Sequence, residues 1–264
     1  MDVVKYNYLN SLEMKQIESC GSTSELFLIK DQLYKLFHSF FVNHYGEDLY
    51  KKFNAIENIH IDNVIMPKKA IMQNDIFLGY TMEYYSTYSN LNDYFSHDRY
   101  VDVNDILNAT KKASLILKDF HSKGILLRDY SFDNILIGNN NDIKVCDIDS
   151  CLYKEYRGIP VIPDFMKYYY QKVVHQMNCL DENFDRQTLL FAMLKAIYFY
   201  AVFDIKKYDS LANKIKVLKE IRPIFESLLN NSKTDVPYLD DIICEDEDFT
   251  IDRNKQKIKY FVDK

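Results

Sequence analysis

Two short apolar runs around a cluster of turn residues constrain this chain more than any other stretch. Ile135-Leu136-Ile137 and Ile143-Lys144-Val145-Cys146 flank Gly138-Asn139-Asn140-Asn141-Asp142. That pattern predicts a β-hairpin, because Gly, Asn and Asp accept the backbone geometry of a tight reversal. A hairpin brings its two ends side by side, and here both ends are polar: Asn134 at the entry and Asp147 at the exit. Leu127-Arg128-Asp129-Tyr130-Ser131-Phe132-Asp133 leads into the hairpin and carries a third polar group, Asp129, toward the same cleft.

The elements around this hairpin follow from periodicity. Ile106, Ala109, Ala113, Ile116, Leu117 and Phe120 recur at helical spacing, with Asp102 as the N-cap, so a helix leads into the Asp129 loop. Nearer the start, Leu26-Phe27-Leu28-Ile29, the turn Lys30-Asp31-Gln32 and Leu33-Tyr34-Lys35-Leu36-Phe37 predict a second hairpin. A polar helical segment is expected around Glu47 to Ile59, with strands at Val64-Ile65-Met66 and Ile76 to Met82. Past Tyr85 the pattern turns helical. Leu189 to Phe203 is nearly all apolar, but it contains Lys195 and falls short of the roughly 20 apolar residues of a spanning helix. It is better read as a buried helix, and no membrane partner is expected.

Composition narrows the function classes. A chain of 264 residues that is 47% apolar and 15% aromatic builds a substantial core. A net charge of −6 argues against general nucleic-acid binding, which needs a basic surface. The first residues lack a basic region followed by an apolar run, so no signal peptide is expected. Five cysteines, an odd number without paired spacing, favour a reducing cytoplasm and form no zinc pattern. The charges of the tail, Asp240-Asp241 and Glu245 to Asp248 and then Lys255, Lys257 and Lys259, are expected on a solvated surface.

The chemistry of the hairpin ends is specific. An acid placed shortly before an Asn, in a loop entered from a helix, orients a hydroxyl while the Asn reaches a metal, and the second acid supplies another metal ligand. With these motifs in place, the chain resembles the protein-kinase superfamily along most of its length. The family's His-Arg-Asp, followed by four residues and Asn, corresponds to Leu127-Arg128-Asp129 and Asn134, and its Asp-Phe-Gly corresponds to Asp147-Ile148-Asp149. The resemblance implies an α+β, two-lobed fold, with a β-rich lobe over residues 1–85 and a helical lobe over 86–264. It also implies transfer of the γ-phosphate of Mg·ATP to a hydroxyl, on a protein Ser/Thr or on a small molecule. A non-catalytic ATP-binding protein of the same fold is the rival from another class.

The same resemblance assigns roles. Asp129 would orient the acceptor hydroxyl, and Asn134 and Asp147 would hold Mg²⁺. Lys35 would contact the ATP phosphates. Its acidic helix partner would be Glu47, which Tyr50, Phe53 and Ile56 follow at steps of three, with Asp48 as the alternative. Gly21, the one glycine of Ser19 to Ser24, would admit a phosphate. Met82 would be the gatekeeper, and the backbone of Glu83 and Tyr85 would bond adenine. Asp185 would support the catalytic loop, Gly158-Ile159-Pro160 with Pro163-Asp164 would close a short activation segment, and Arg222-Pro223 would start a helix and pair with Asp164.

Three departures stand out. Leu127 replaces the family's His, and Ser131 replaces the Lys of protein Ser/Thr kinases, as in small-molecule phosphotransferases of the fold. Asp149 replaces Gly where left-handed backbone is expected, or else lends another metal oxygen.

Overall fold

The computed structural model describes residues 1–9, 13–17, 23–159, 181–198, 205–230, 234–243, 247 and 249–253. The architecture is α+β. Six strands, β1 (Asp2–Lys5), β2 (Lys15–Ile17), β3 (Ser24–Ile29), β4 (Gln32–Phe37), β5 (Lys69–Gln73) and β6 (Ile76–Glu83), form one sheet in the order β1-β5-β6-β4-β3-β2. β1 runs parallel to β5, and every other pairing in the sheet is antiparallel. The β3–β4 hairpin is the one read from the sequence. Asn74 and Asp75, at φ of 48° and 63°, close β5–β6 with two left-handed residues, the geometry of a type I′ turn.

Helix α1 (Tyr6–Leu9) is a single turn. Helix α2 (Ser39–Ile56) covers one face of the sheet and starts eight residues before the sequence expectation of Glu47. It buries Gly46, Leu49, Lys52, Phe53 and Ile56. Phe53 meets Tyr80 edge-on, with ring centroids 5.1 Å apart, and also packs on Phe77. Phe77 and Tyr80, three apart on one strand, reach the same side because the register slips between Ile71 and Met72. An extra residue in a strand inverts the side-chain alternation beyond it. Gly79 serves the sheet in another way. A Cβ there would lie 1.9 Å from the Lys35 carbonyl oxygen, so only glycine lets β6 run this close to β4.

The remainder is mainly helical. Strand β7 (Ser89–Asn90), helix α3 (Leu91–His97) and strand β8 (Tyr100–Asp102) precede helix α4 (Val103–Ser122). Asp102 caps α4 as expected, its side chain accepting from the Asn104 N–H at 2.9 Å. Strand β9 (Ile125–Leu126) follows, then the hairpin β10 (Ile135–Ile137) and β11 (Ile143–Val145), paired with Ile135 opposite Val145 and Ile137 opposite Ile143. The expected strand at Val64 to Met66 is reduced to one bridge, where the Ile65 N–H donates to the Val145 carbonyl at 2.8 Å. That bridge fastens the hairpin to the linker between α2 and β5.

Strand β12 (Leu152–Tyr153) pairs with β9, and helix α5 (Glu182–Tyr198) packs on α4. Its centre is buried all round, as the apolar run predicts. Helices α6 (Ile205–Ala212), α7 (Lys216–Leu229) and α8 (Leu239–Ile242) follow, and β13 (Thr250–Asp252) pairs with β8. Arg253 then plugs the end of α5, donating to the carbonyls of Ala196 at 2.5 Å and Ile197 at 3.3 Å.

The expected helix start at Arg222-Pro223 is corrected: Pro223 lies inside α7. The buried column Val217, Leu218, Ile221, Phe225 and Leu228 runs through the proline and holds the helix despite the missing N–H. Arg222 is taken up by Asp209, at 2.7 Å, and by Glu226, at 2.8 Å. Its expected partner Asp164 lies outside the described residues, as do Pro160 and Pro163. Among the described residues no helix is long and apolar enough to cross a membrane.

Candidate functional site

The hairpin ends meet residues from the sheet. Lys35 stands on β4 opposite Tyr80 of β6, and residues opposite each other in a sheet share a face. Its ammonium lies 2.7 Å from Asp147 Oδ1 and 2.6 Å from Asp149 Oδ2. The two carboxylates differ in exposure: the Asp147 side chain is 41% exposed and that of Asp149 is 4%. Asp149 Oδ1 accepts from the Tyr80 hydroxyl at 2.8 Å. Burial alone would discharge Lys35, but the nearby carboxylates outweigh it and hold the ammonium above its ordinary range. For Asp147 burial also favours the neutral form, and Lys35 overrides it, keeping the carboxyl below the usual range. For Asp149 burial wins, with Asp147 adding to it, and the carboxyl is raised.

The residue in the left-handed region is Asp147, at φ 57°, and not Asp149, which lies in the 3₁₀ turn Ile148–Ser150. Asp tolerates that geometry better than most side chains. The turn behind it is held by Lys52 of α2. This lysine is fully buried, and its ammonium donates to the carbonyls of Asp149 at 2.7 Å and Cys151 at 3.0 Å. Gly158 closes the other side. The Ile159 N–H donates to the Asp149 carbonyl at 3.0 Å, and a Cβ on Gly158 would lie 2.3 Å from the Ser150 carbonyl.

The expectation that Glu47 pairs with Lys35 is corrected. Glu47 points to solvent and pairs with Lys51 at 2.5 Å, and Asp48 is exposed too. The reason is helical phase. Three residues advance about 300°, so steps of three from Glu47 to Ile56 drift to about 180° from the start. Glu47 therefore stands opposite the buried Ile56, and the inward position belongs to Lys52.

The loop from Leu127 to Asn134 is held by a buried acid. Asp185, at the start of α5, is fully buried and accepts from the Leu127 N–H at 2.7 Å, the Arg128 N–H at 2.6 Å and His121 Nε2 at 3.0 Å. This is the supporting role expected of Asp185. His121 in turn meets the Tyr238 hydroxyl through Nδ1 at 2.7 Å. The Tyr130 hydroxyl donates to the Ala113 carbonyl at 2.8 Å and ties the loop to α4. Arg128 adopts φ 67°, the second left-handed residue of the site.

Within the loop, Asn134 Nδ2 donates to Asp129 Oδ2 at 3.0 Å and to the Asp129 carbonyl at 2.9 Å. With the nitrogen so used, the Asn134 Oδ1 atom is left to accept or to ligate. The Cys146 N–H donates to the Asn134 carbonyl at 2.9 Å, and the Ser150 hydroxyl donates to the Leu127 carbonyl at 2.8 Å. The Asp129–Asn134 loop, Asp147 and Lys35 thus belong to one connected network, although Lys35 and Asp147 stand 112 residues apart.

The other expected residues line the end of the sheet. Met82 is buried opposite Leu33, on the Lys35 side. The Glu83 carboxylate accepts from Lys68 at 2.5 Å and from the Tyr85 hydroxyl, and Lys144 lies over the Tyr85 ring at 5.0 Å. Gly21 lies outside the described residues.

Three functional positions escaped the sequence reading. Lys52 and His121 carried a signal, since each is a polar residue on the apolar stripe of its helix. Tyr80 carried none, because an aromatic residue in a strand is unremarkable. Asp147 and Asn134 offer a carboxylate and an amide oxygen, the hard donors that a small divalent cation takes. Among the described residues no group of three or more His, Cys, Asp or Glu side chains is gathered as a metal site. No protein-family model matches the chain, and no curated protein matches it.

Proposed function

We propose that the protein is an ATP-dependent phosphotransferase of the protein-kinase fold, moving the γ-phosphate of Mg·ATP to a hydroxyl, with protein Ser/Thr the favoured acceptor. In this reading residues 1–85 are the small lobe, 86–264 the large lobe, and the cleft between them takes the nucleotide. The observation that carries it is the approach of two pairs, Lys35 with Asp147 at 2.7 Å and Asn134 with Asp129 at 3.0 Å, linked by the backbone bond from the Cys146 N–H, next to Asp147, to the Asn134 carbonyl at 2.9 Å. Ser131, in place of the usual Lys, keeps a small-molecule hydroxyl as the alternative acceptor.

The roles divide among these residues. Lys35 presents a fixed positive charge to phosphate oxygens. Asn134 Oδ1 and the half-exposed Asp147 carboxylate would hold Mg²⁺, which would offset the negative charge of the phosphates. Asp129, oriented by Asn134, would align the acceptor hydroxyl and take its proton. Met82, Glu83 and Tyr85 would border the adenine.

The test combines binding and transfer. Mg·ATP at about 100 times its Kd should stabilise the protein by about 2.7 kcal/mol, seen as a raised Tm. Asp147→Ala should remove the magnesium-dependent part. With labelled ATP and a cell extract, Asp129→Asn should bind nucleotide and transfer about 10²–10⁴ times more slowly. A folded wild-type protein with no ATP shift overturns the proposal. ATP binding without transfer to any protein or small molecule leaves the non-catalytic rival.

A further inference from the structure

Lys35 meets its counter-ions in an unusual arrangement. Among the described residues its ammonium touches two carboxylates, and both come from the turn after the hairpin. Helix α2 offers it none: Glu47 points away, and the inward position carries Lys52, a second ammonium. The helix therefore contacts the turn through a cation on backbone carbonyls.

The two carboxylates are not equivalent. Asp149 is held on every side: Oδ1 accepts from Tyr80 at 2.8 Å, Oδ2 pairs in charge with the Lys35 ammonium at 2.6 Å without hydrogen-bond geometry, and the backbone oxygen accepts from Lys52 at 2.7 Å and the Ile159 N–H at 3.0 Å. Turning Asp149 toward a ligand would break these contacts and leave buried polar groups unpaired, which costs more than the contacts are worth in water. Asp147 is ten times more exposed, at 41% against 4%.

We propose that Asp149 is the positioning residue for Lys35, the fixed buried counter-ion that keeps its ammonium aimed into the cleft while Asp147 is released to the metal. The inference rests on the phosphotransferase reading and deepens it. Tyr80 fixes Asp149, Lys52 fixes the backbone behind it, and Asp149 fixes Lys35. An ammonium has three donors, so Lys35 keeps one for a phosphate oxygen while it holds both acids.

The experiment measures Kd for ATP, with and without magnesium, and for adenosine, on the full chain. Adenosine lacks phosphates and reports on the adenine pocket alone. Asp149→Asn should lower the preference for ATP over adenosine by about tenfold or more, the loss of one charge-assisted contact. Lys35→Met should do the same, and the double variant should lose no more than either alone, since both remove one unit. Adenosine affinity should hold in each, which a collapsed turn would not allow. The magnesium dependence of ATP binding should survive in Asp149→Asn and vanish in Asp147→Asn.

Loss of magnesium dependence in Asp149→Asn would make Asp149 a metal ligand and overturn the inference. So would an unchanged ATP-to-adenosine ratio, or additive losses in the double variant. Should Asp149→Asn not fold, Tyr80→Phe carries the same comparison: it frees Asp149 Oδ1 and should lower the same ratio by a smaller factor, and an unchanged ratio there also overturns it. If the wild-type protein binds neither ligand, the phosphotransferase reading falls and this inference falls with it, whereas a failure of the inference alone shows only in the variants.

Discussion

The two loops of the site are built with opposite polarity. Leu127 to Asn134 turns backbone N–H groups inward, and the buried carboxylate of Asp185 collects those of Leu127 and Arg128. The turn from Asp147 to Cys151 turns carbonyls inward, and the buried ammonium of Lys52 collects those of Asp149 and Cys151. Neither stretch has a ladder partner for these groups, and a buried peptide group without a partner costs about as much as a lost hydrogen bond. One buried charge with several convergent partners serves each loop. The difference lies in the second layer: Asp185 is further satisfied by the His121 side chain, whereas the hydrogen bonds of Lys52 go to backbone oxygens, with the Phe53 ring centroid 5.2 Å from its ammonium.

The comparison breaks most visibly at Asp185. Asp185→Ala leaves two backbone N–H groups and His121 without their acceptor in a fully buried place, and should cost about 3–5 kcal/mol. Urea unfolding measures it, and a loss below about 1 kcal/mol would show that the loop is held by other means. Lys52→Met keeps the aliphatic stem and removes the charge. It takes the ammonium from the Cys151 carbonyl and leaves the Asp149 carbonyl with the Ile159 N–H, while relieving the burial of a charge, so its loss should be smaller, about 1–3 kcal/mol. Equal losses at the two sites would erase the asymmetry, and a more stable Lys52→Met protein would reverse it.

The smallest effect belongs to a charge pair outside both loops. Lys68 and Glu83 lie 2.5 Å apart at the sheet end, each about half exposed, and exposed pairs contribute roughly 0–1 kcal/mol. Lys68→Ala should therefore change stability by less than about 1 kcal/mol at neutral pH. The hydrogen bond from Lys68 holds the Glu83 carboxyl below its ordinary value of 4.5. A depressed carboxyl stabilises the fold above its unfolded pKa and loses that contribution as pH falls through the folded one. The difference between wild type and Lys68→Ala should thus disappear in acid. A difference that persists there belongs to the lysine stem and not to its charge.

Much of the site could be read from short stretches. The hairpin followed from its turn residues, and with it the approach of Asn134 and Cys146. The spacing of α4 and its Asp102 cap set where the Asp129 loop begins. Asp185 was legible as an acid opening an apolar helix. Glu47 was misread for a reason within reach: steps of three drift around a helix, and the stripe Gly46, Leu49, Phe53 and Ile56 already placed Lys52 inside. Pro223 misled because a buried apolar column overrode a local breaker.

The sequence alone determined the local units: strand alternation, turn chemistry, helix phase, and which polar residues stand at hairpin and helix ends. These depend on neighbours a few residues away, and backbone sterics act at that range. Only the tertiary structure decided which buried charges meet. That Lys35 takes Asp149, that Tyr80 completes it and that Lys52 faces carbonyls instead of a carboxylate depends on how β4, β6, α2 and the turn after β11 come together. A buried charge is satisfied by whatever group the packing brings within about 3 Å, and no local pattern encodes that distance.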